Sequence, residues 1–505
     1  MYLIKVSCKW ISPKRISMKT LPSKVIFIGA GPSGLFAARQ LKEIAKLQNK
    51  TVECIFLERE PVVGGKCHTY SDTVHPELKT EWGAALVAPN YGVVLDALAE
   101  HGIEFEKVMP TASETIEIKQ LFEKASSLEK ISMEMKLLRE LWAFNSDYDV
   151  YKKAKQNKKV LPDKLLNPFS EYCKLNNMSY LPVFLKPFVP GFGYGDLNFC
   201  PAYCVLEYMG KVTMPDILLA DQLIGRPSLL AIHGGFQLLM ERIAEQFDVR
   251  TSASVSRIKR EKNKVTVTYV HNGIEQTETA DTLVLATSPR NWKSLGLDLT
   301  EVENNCIESL DYYRYPVAVY KIKGLPPQQY FFTKALEETG FGHLALITTR
   351  DNRSNPEDGR LCTVYVNLSP NNNEFKFDHE ALRKELESIP GVTEVTVVKD
   401  KIWEDYMSTL PWDLRLQLDK EQQRTNTMYL GSYALGSFED VACVANKATD
   451  AMTEWYAPTM RYEEDFSWKN MNRAWQFFTS PTKSPLASLG EPVMSDDSNR
   501  PSMVR

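Results

Sequence analysis

Val25-Ile26-Phe27-Ile28-Gly29-Ala30-Gly31-Pro32-Ser33-Gly34 is the stretch whose reading decides the fold. Four apolar residues, enough for a buried parallel strand, run directly into a Gly-x-Gly-x-x-Gly turn. Leu35 to Lys46 continues with apolar residues at helical spacing, and Val52 to Leu57 is a second apolar run. The pattern predicts a β-α-β opening with the glycines at the strand-to-helix turn. Such a glycine triplet also occurs in ordinary surface turns; the strand before it and the helix after it select the dinucleotide-binding reading.

Each glycine has a separate reason. Gly29 permits the tight turn, Gly31 lets backbone approach a pyrophosphate with no Cβ in the way, and Gly34 lets the helix pack close to the strand. Pro32 and Ser33 open the helix, whose free N–H groups face the phosphates. Glu58, with Arg59 beside it, ends the second strand, where an acid accepts hydrogen bonds from ribose hydroxyls. A carboxylate there repels a 2′-phosphate and argues against NADP at this site. The alternative for a lone Glu58 is a solvated strand end.

Gly64-Gly65-Lys66-Cys67-His68-Thr69 follows. With Glu58 ahead of it, this resembles the second signature of the FAD-binding superfamily that includes amine oxidases and carotene desaturases. The resemblance implies FAD rather than NAD. It implies further FAD contacts at Trp82, Gly83 and Ala84, and at Val255, just before Arg257-Ile258, on the adenine side. Thr287 lies in an Ala-Thr-x-Pro turn, and Gly431 and Ser432 end the last FAD strand. Glu439, Asp440 and Val441 open a final helix aimed at the flavin pyrimidine. The superfamily often has an acid where Ser432 stands. Cys67 and His68 read as packing along the flavin passage, with a chemical role as the alternative.

A second Gly-x-Gly-x-x-Gly is missing, because Gly191-Phe192-Gly193-Tyr194-Gly195 has another spacing and follows no apolar strand. With no NADPH domain evident, electrons must come from the substrate, as in an oxidase, a desaturase or a redox-neutral isomerase. Pro168-Phe169-Ser170-Glu171-Tyr172, Pro187 to Gly195 and Pro201 to Tyr208, together with Gly64 to His68, resemble the flavin-dependent polyenoic fatty acid isomerases. That resemblance runs from Val25 to Trp455. It implies that hydride leaves the methylene between two double bonds for flavin N5 and returns at another carbon, with no side chain needed as acid or base. It places Phe192, with Tyr194 beside it, in the fatty-acid channel; core packing is the alternative for both. It also implies an arginine for the substrate carboxylate, yet Met109 to Ile116, the matching stretch, contains no Arg or Lys. An FAD-dependent amine oxidase releasing hydrogen peroxide is the runner-up, without a cysteine before Gly431 at the position of a covalent flavin link. A binding protein with a structural flavin is a third reading.

The expected fold is α/β: a Rossmann-like FAD-binding domain, a mixed-sheet substrate domain and a helical cap. FAD-binding parts are expected at 24–111, 249–295 and 426–457, after an N-terminal extension at 1–23. Cap and substrate segments are expected at 112–248, a substrate-binding domain at 296–425, and a C-terminal extension at 458–505, disordered from about 480 on its Ser, Pro, Asp and Asn content. Helical patterns cover Leu121 to Trp142 and Pro168 to Leu175. Val249 to Val270, Thr282 to Ala286, Val317 to Ile322, Leu361 to Val366 and Met428 to Leu430 read as strands, and Glu439 to Trp455 as a helix.

The chain has 505 residues and a net charge of −4, with no broad basic footprint for nucleic acid. No apolar run reaches the roughly 18 residues of a membrane span. Nine cysteines without a Cys-x-x-Cys pair suit a reduced, cytoplasmic protein and give no metal site. Met1 to Ser23 lacks the apolar core of a secretory signal, and Met18 is an alternative start. The expected ligands are noncovalent FAD and a small-molecule substrate, a fatty acid by the isomerase resemblance.

Overall fold

The computed structural model describes residues 19–458 except 89–90, 110, 113–116, 216–228, 263, 338–339 and 351–358. Strand β1 (Lys24–Ile28) is buried from Val25 onward and leads through Gly29–Gly31 into helix α1 (Pro32–Leu47). The chain returns as β2 (Glu53–Leu57), paired parallel to β1 with Val25 opposite Cys54. Leu35, Phe36, Leu41 and Ile44 are fully buried on the inner face of α1, each stabilising the fold by about 1.5–3 kcal/mol. A short hairpin, β3 (Thr69–Ser71) and β4 (Lys79–Glu81), precedes α2 (Gly92–Glu100) and β5 (Phe105–Lys107).

The central region is helical. Leu121 to Trp142, expected as one helical stretch, is two: Glu117–Lys124 and α3 (Ser127–Gln156). The break is local chemistry. Ser126 accepts a hydrogen bond from the Glu129 N–H, and Glu129 reaches back to the Ser126 N–H, a capping box that starts a new helix. Phe169–Leu175 is helical, and α4 (Ala202–Pro215) is kinked at Gly210, whose φ is 52°. The chain then forms β6 (Leu230–Ile232), α5 (Phe236–Ala244), β7 (Asp248–Arg250), β8 (Ser254–Glu261), β9 (Lys264–His271), β10 (Ile274–Ala280) and β11 (Thr282–Leu285). Alternation over Val249 to Val270 thus resolves into separate strands.

The last part supplies β12 (Asp311–Lys323), β13 (Tyr330–Phe331), β14 (Leu344–Thr349), β15 (Arg360–Val366), β16 (Glu394–Thr409), α6 (Trp412–Thr425), β17 (Thr427–Tyr429) and α7 (Val441–Tyr456). Helix α7 starts two residues later than Glu439, because Asp440 caps it by accepting from the Cys443 N–H at 3.1 Å.

A five-stranded parallel sheet has the order β17-β11-β1-β2-β7. The chain leaves β1 toward β2 on one side, and β11 enters on the other, so a crevice opens at the carboxyl end of β1. The Gly29–Gly34 turn lies at that end. An antiparallel sheet, β13-β14-β15-β12-β16, contains both Val317–Ile322 and Leu361–Val366, with Val317 opposite Tyr365. Strands β10-β9-β8 form a third sheet. The parallel sheet and α1, α2, α5 and α7 share one apolar core; the central helices and the inner faces of β12, β15 and β16 share another. No described helix is long and apolar enough to cross a membrane.

Candidate functional site

Gly29 has φ 99°, and a Cβ there would stand 3.0 Å from the Ala286 carbonyl oxygen, so the turn requires glycine. Gly31 differs. Its backbone is extended, and the nearest protein atom to an added Cβ is Gly65 Cα at 3.8 Å. Space within the protein therefore does not demand glycine at Gly31; the open side faces the cavity. Helix α1 begins there without a side-chain cap and with no acid in its first turn. Its first N–H groups are left for an anion. Gly34 faces inward, where a Cβ would come within 2.7 Å of the Gly29 carbonyl oxygen.

Glu58 sits at the end of β2, 8% exposed. Its carboxylate accepts from the Ala30 N–H at 2.7 Å and the Glu60 N–H at 2.9 Å. Burial raises its pKa, and the two N–H groups counter that rise. Glu58 thus ties the glycine loop to the next turn while lining the cavity, which Arg59 also lines.

The Gly64–His68 segment pairs with 82–84. Trp82 donates its N–H to the His68 carbonyl at 2.9 Å, and Ala84 donates to the Lys66 carbonyl at 3.0 Å. A Cβ on Gly83 would collide with the same Lys66 carbonyl, which fixes the close approach. Gly65, Lys66, Gly83 and Ala84 line the cavity. Gly64 and Trp82 stand behind that wall. Gly64 adopts φ 115°, and Trp82 stacks between His68 and Tyr70 with centroids at 5.6 and 5.7 Å. Cys67 is buried, and burial pushes its thiol well up, so it stays protonated. His68 is held below its usual pKa by burial and by Lys401 and Lys399.

Val255 and Thr287 also line the cavity, and the buried Thr287 hydroxyl has no partner within the protein. Gly431, Glu439, Asp440 and Val441 close the opposite side. Ser432 does not reach the cavity; its hydroxyl donates to the Ser408 carbonyl at 2.7 Å and meets Glu439 at 3.0 Å. Lys66 and Glu439 lie 3.6 Å apart. Asp440 accepts from the Tyr91 hydroxyl at 2.6 Å, and burial raises its pKa.

The Gly191–Gly195 segment forms the other end. Gly193 has φ 78°, and a Cβ there would stand 2.7 Å from the Tyr315 ring. Gly195 has φ 92° and is pressed likewise against Tyr313. Tyr315 also donates its hydroxyl to the Gly191 carbonyl at 2.6 Å. Two β12 tyrosines therefore clamp the turn, and Phe192 and Tyr194 project into the cavity. Tyr194 stacks on Phe438 at 5.0 Å and meets Tyr208 edge-on at 5.1 Å.

All these walls belong to one cavity of about 1950 Å³. Pockets for single drug-sized ligands hold about 300–1,000 Å³, so this one has room for a dinucleotide and a second ligand. The glycine loop, the free helix N-terminus, Glu58 and the unpartnered Thr287 hydroxyl fit a dinucleotide with its pyrophosphate at α1. Tyr208, the end of the Pro201 to Tyr208 stretch, lines it too, and sequence reasoning missed Tyr91, Tyr406, Lys401 and Trp403 on the same wall. Tyr91 caps α2 and the others come from β16, and nothing local in the sequence marks them. It also missed the buried pair Glu81–Arg350, 2.6 Å apart. Of Met109 to Ile116, residues 110 and 113–116 lie outside the described residues. Among the described residues no cluster of ligands could hold a metal.

The family model for flavin containing amine oxidoreductases matches residues 32–389, more than half of the chain. The chain belongs to this family. Membership makes it a flavin-dependent enzyme. The flavin amine oxidoreductase fold recurs in solved structures. A fatty acid isomerase from P. acnes that produces CLA superposes with a TM-score of 0.68 at 21% identity, covering 86% of this chain and 99% of that one. A redesigned putrescine oxidase gives 0.60 at 15%, covering 86% and 98%. A protein described as a protoporphyrinogen oxidase, from Exiguobacterium sp., gives 0.58 at 16%, covering 87% and 99%. No curated protein matches this flavin oxidoreductase in sequence.

Proposed function

We propose that this flavoenzyme binds FAD noncovalently and moves double bonds of a polyunsaturated fatty acid, with no net redox change. The observation that carries the reading is the continuity of the cavity. Its dinucleotide end opens directly into an aromatic end built from Phe188, Phe192, Tyr194, Tyr208 and Tyr406. When bound, FAD supplies a hydride acceptor that can also return the hydride. The chain's own residues position the substrate and keep water away. Phe192 and Tyr194 grip an acyl chain, and the segments 112–248 and 296–425 handle substrate. The Tyr194 phenol is buried and that of Tyr208 half-buried, and desolvation holds both pKa values well above the ordinary one, so both stay neutral. That suits chemistry without a side-chain base. Cys67 and Cys443, the cysteines at the cavity wall, are both kept protonated by burial, which disfavours a covalent flavin link. The likeness to the P. acnes isomerase supports the substrate class.

Two findings favour a second reading, amine oxidation: the matched family and the putrescine oxidase likeness. Anaerobic incubation with linoleate or linolenate separates the two. Isomerisation yields conjugated-diene absorbance, and Phe192→Ala changes its rate or the position of the product bonds. A fatty acid panel that gives no diene, while an amine bleaches the flavin and air restores it with peroxide, establishes the oxidase instead.

A further inference from the structure

Helix α3 carries two apolar stripes on opposite sides. The inward one includes Phe144 and Tyr151, both fully buried, in the core of the central helices. The same side holds two buried acids. Glu140 accepts from the N–H groups of Ser179, Tyr180 and Leu181, and Asp147 pairs with Lys164 at 2.7 Å. The outward stripe is Leu128, Ile131, Met135, Leu138 and Trp142, exposed at 82%, 57%, 64%, 58% and 74%. Their spacing alternates three and four residues, the a/d repeat of a coiled coil. At 3.6 residues per turn they span an arc of roughly 80° and a length of about 21 Å, roughly 170° from the inward stripe. After Trp142 the outward side turns polar with Ser146, Asp149 and Lys153, so the stripe is confined to the first half of the helix.

We propose that this stripe is a docking seam for α3 of a second copy of the chain, the two helices running parallel. The flanking charges select that partner and orientation. With Leu128 and Met135 at a and Ile131 and Leu138 at d, Glu134 falls at g and Arg139 five residues later at e. In a parallel pair each g side chain meets the e side chain five residues on in its partner. Glu134 of each copy meets Arg139 of the other, giving two symmetric ion pairs. Both residues are exposed, and neither makes an ion pair among the described residues. An antiparallel pair brings g against g and e against e, losing both contacts. The narrow stripe and its alternating flanks, Glu129, Lys130, Glu134, Lys136 and Arg139, differ from the broad apolar face and basic polar face of a helix lying on a lipid surface. The inward stripe already holds α3 folded, so docking does not have to order it.

Analytical ultracentrifugation of the flavin-loaded protein tests this. The expected species is a dimer, twice the 57.5 kDa chain. Leu138→Glu and Ile131→Lys are expected to give monomers with unchanged flavin content. Glu134→Arg and Arg139→Glu each replace attraction by like-charge contact and raise the dimer dissociation constant about tenfold; the double exchange restores it. A monomer at every concentration overturns the proposal, as does a dimer indifferent to Leu138→Glu. A monomer that floats with phosphatidylcholine–phosphatidylglycerol vesicles, and stops doing so in Leu138→Glu, assigns the stripe to a membrane instead.

Discussion

Gly31 and Gly65 face each other across the mouth of the glycine loop. A Cβ on Gly65 would stand 3.2 Å from Gly31 Cα, and one on Gly31 would stand 3.8 Å from Gly65 Cα. The two signature motifs, 34 positions apart, are thus one backbone surface. Gly64 donates its N–H to the Ala30 carbonyl at 2.9 Å and locks the pair together.

Gly31→Val should leave the fold intact and abolish flavin binding. The position is extended and has room for a side chain among protein atoms, so a lost cofactor with an unchanged circular dichroism spectrum marks the space as the phosphate cradle. A variant that purifies with full flavin content places the phosphates elsewhere.

Glu58→Ala should weaken flavin binding roughly tenfold or more, the worth of a charge-assisted hydrogen bond of about 1.5–3 kcal/mol. The expected loss combines the proposed ribose contact with the tie from Glu58 to the Ala30 and Glu60 N–H groups. Titration of the apoprotein with FAD measures it, and equal affinity in variant and parent removes Glu58 from the site.

Gly193→Ala should destabilise the protein by about 1–3 kcal/mol, since a side chain in left-handed backbone is strained and here also meets the Tyr315 ring. Chemical denaturation reads the change. Stability equal to the parent's shows that the turn is not clamped by β12.

Asp440→Asn should alter the pH dependence of stability. Burial raises the Asp440 pKa above its ordinary 3.8. The folded state then binds more protons than the unfolded state between the two values. Stability from this group is fully present below the unfolded pKa and is lost as pH rises through the folded one. Thermal unfolding of parent and variant should therefore diverge as pH rises above about 4, the parent losing more. A difference that stays constant across that range rules out this linkage.

The β1–α1–β2 unit was legible because its signals are local. Buried strands read as apolar runs, and a glycine loop fixes its own turn. The expected α/β fold follows from it, and the Gly64–Gly65 and Gly431–Val441 segments return to the same crevice. Two expectations shifted where short-range hydrogen bonds outweigh periodicity: Ser126 breaks the helix expected from Leu121, and Asp440 delays the one expected from Glu439.

By itself the sequence determined which residues make the loop, because turn geometry depends on neighbours a few positions apart. Only the tertiary structure decided which of the motif residues face the cavity. Gly34, Gly64, Trp82 and Ser432 belong to the motifs yet turn away from it, toward Gly29, Cys67, Tyr70 and Ser408. The tertiary structure also brought Tyr91, Tyr208 and Tyr406 to the wall from the start of α2, from α4 and from β16. No periodicity in one segment records what a distant segment packs against it. That is why the glycine-loop end of the cavity could be read residue by residue, whereas the shape of its aromatic end waited for the fold.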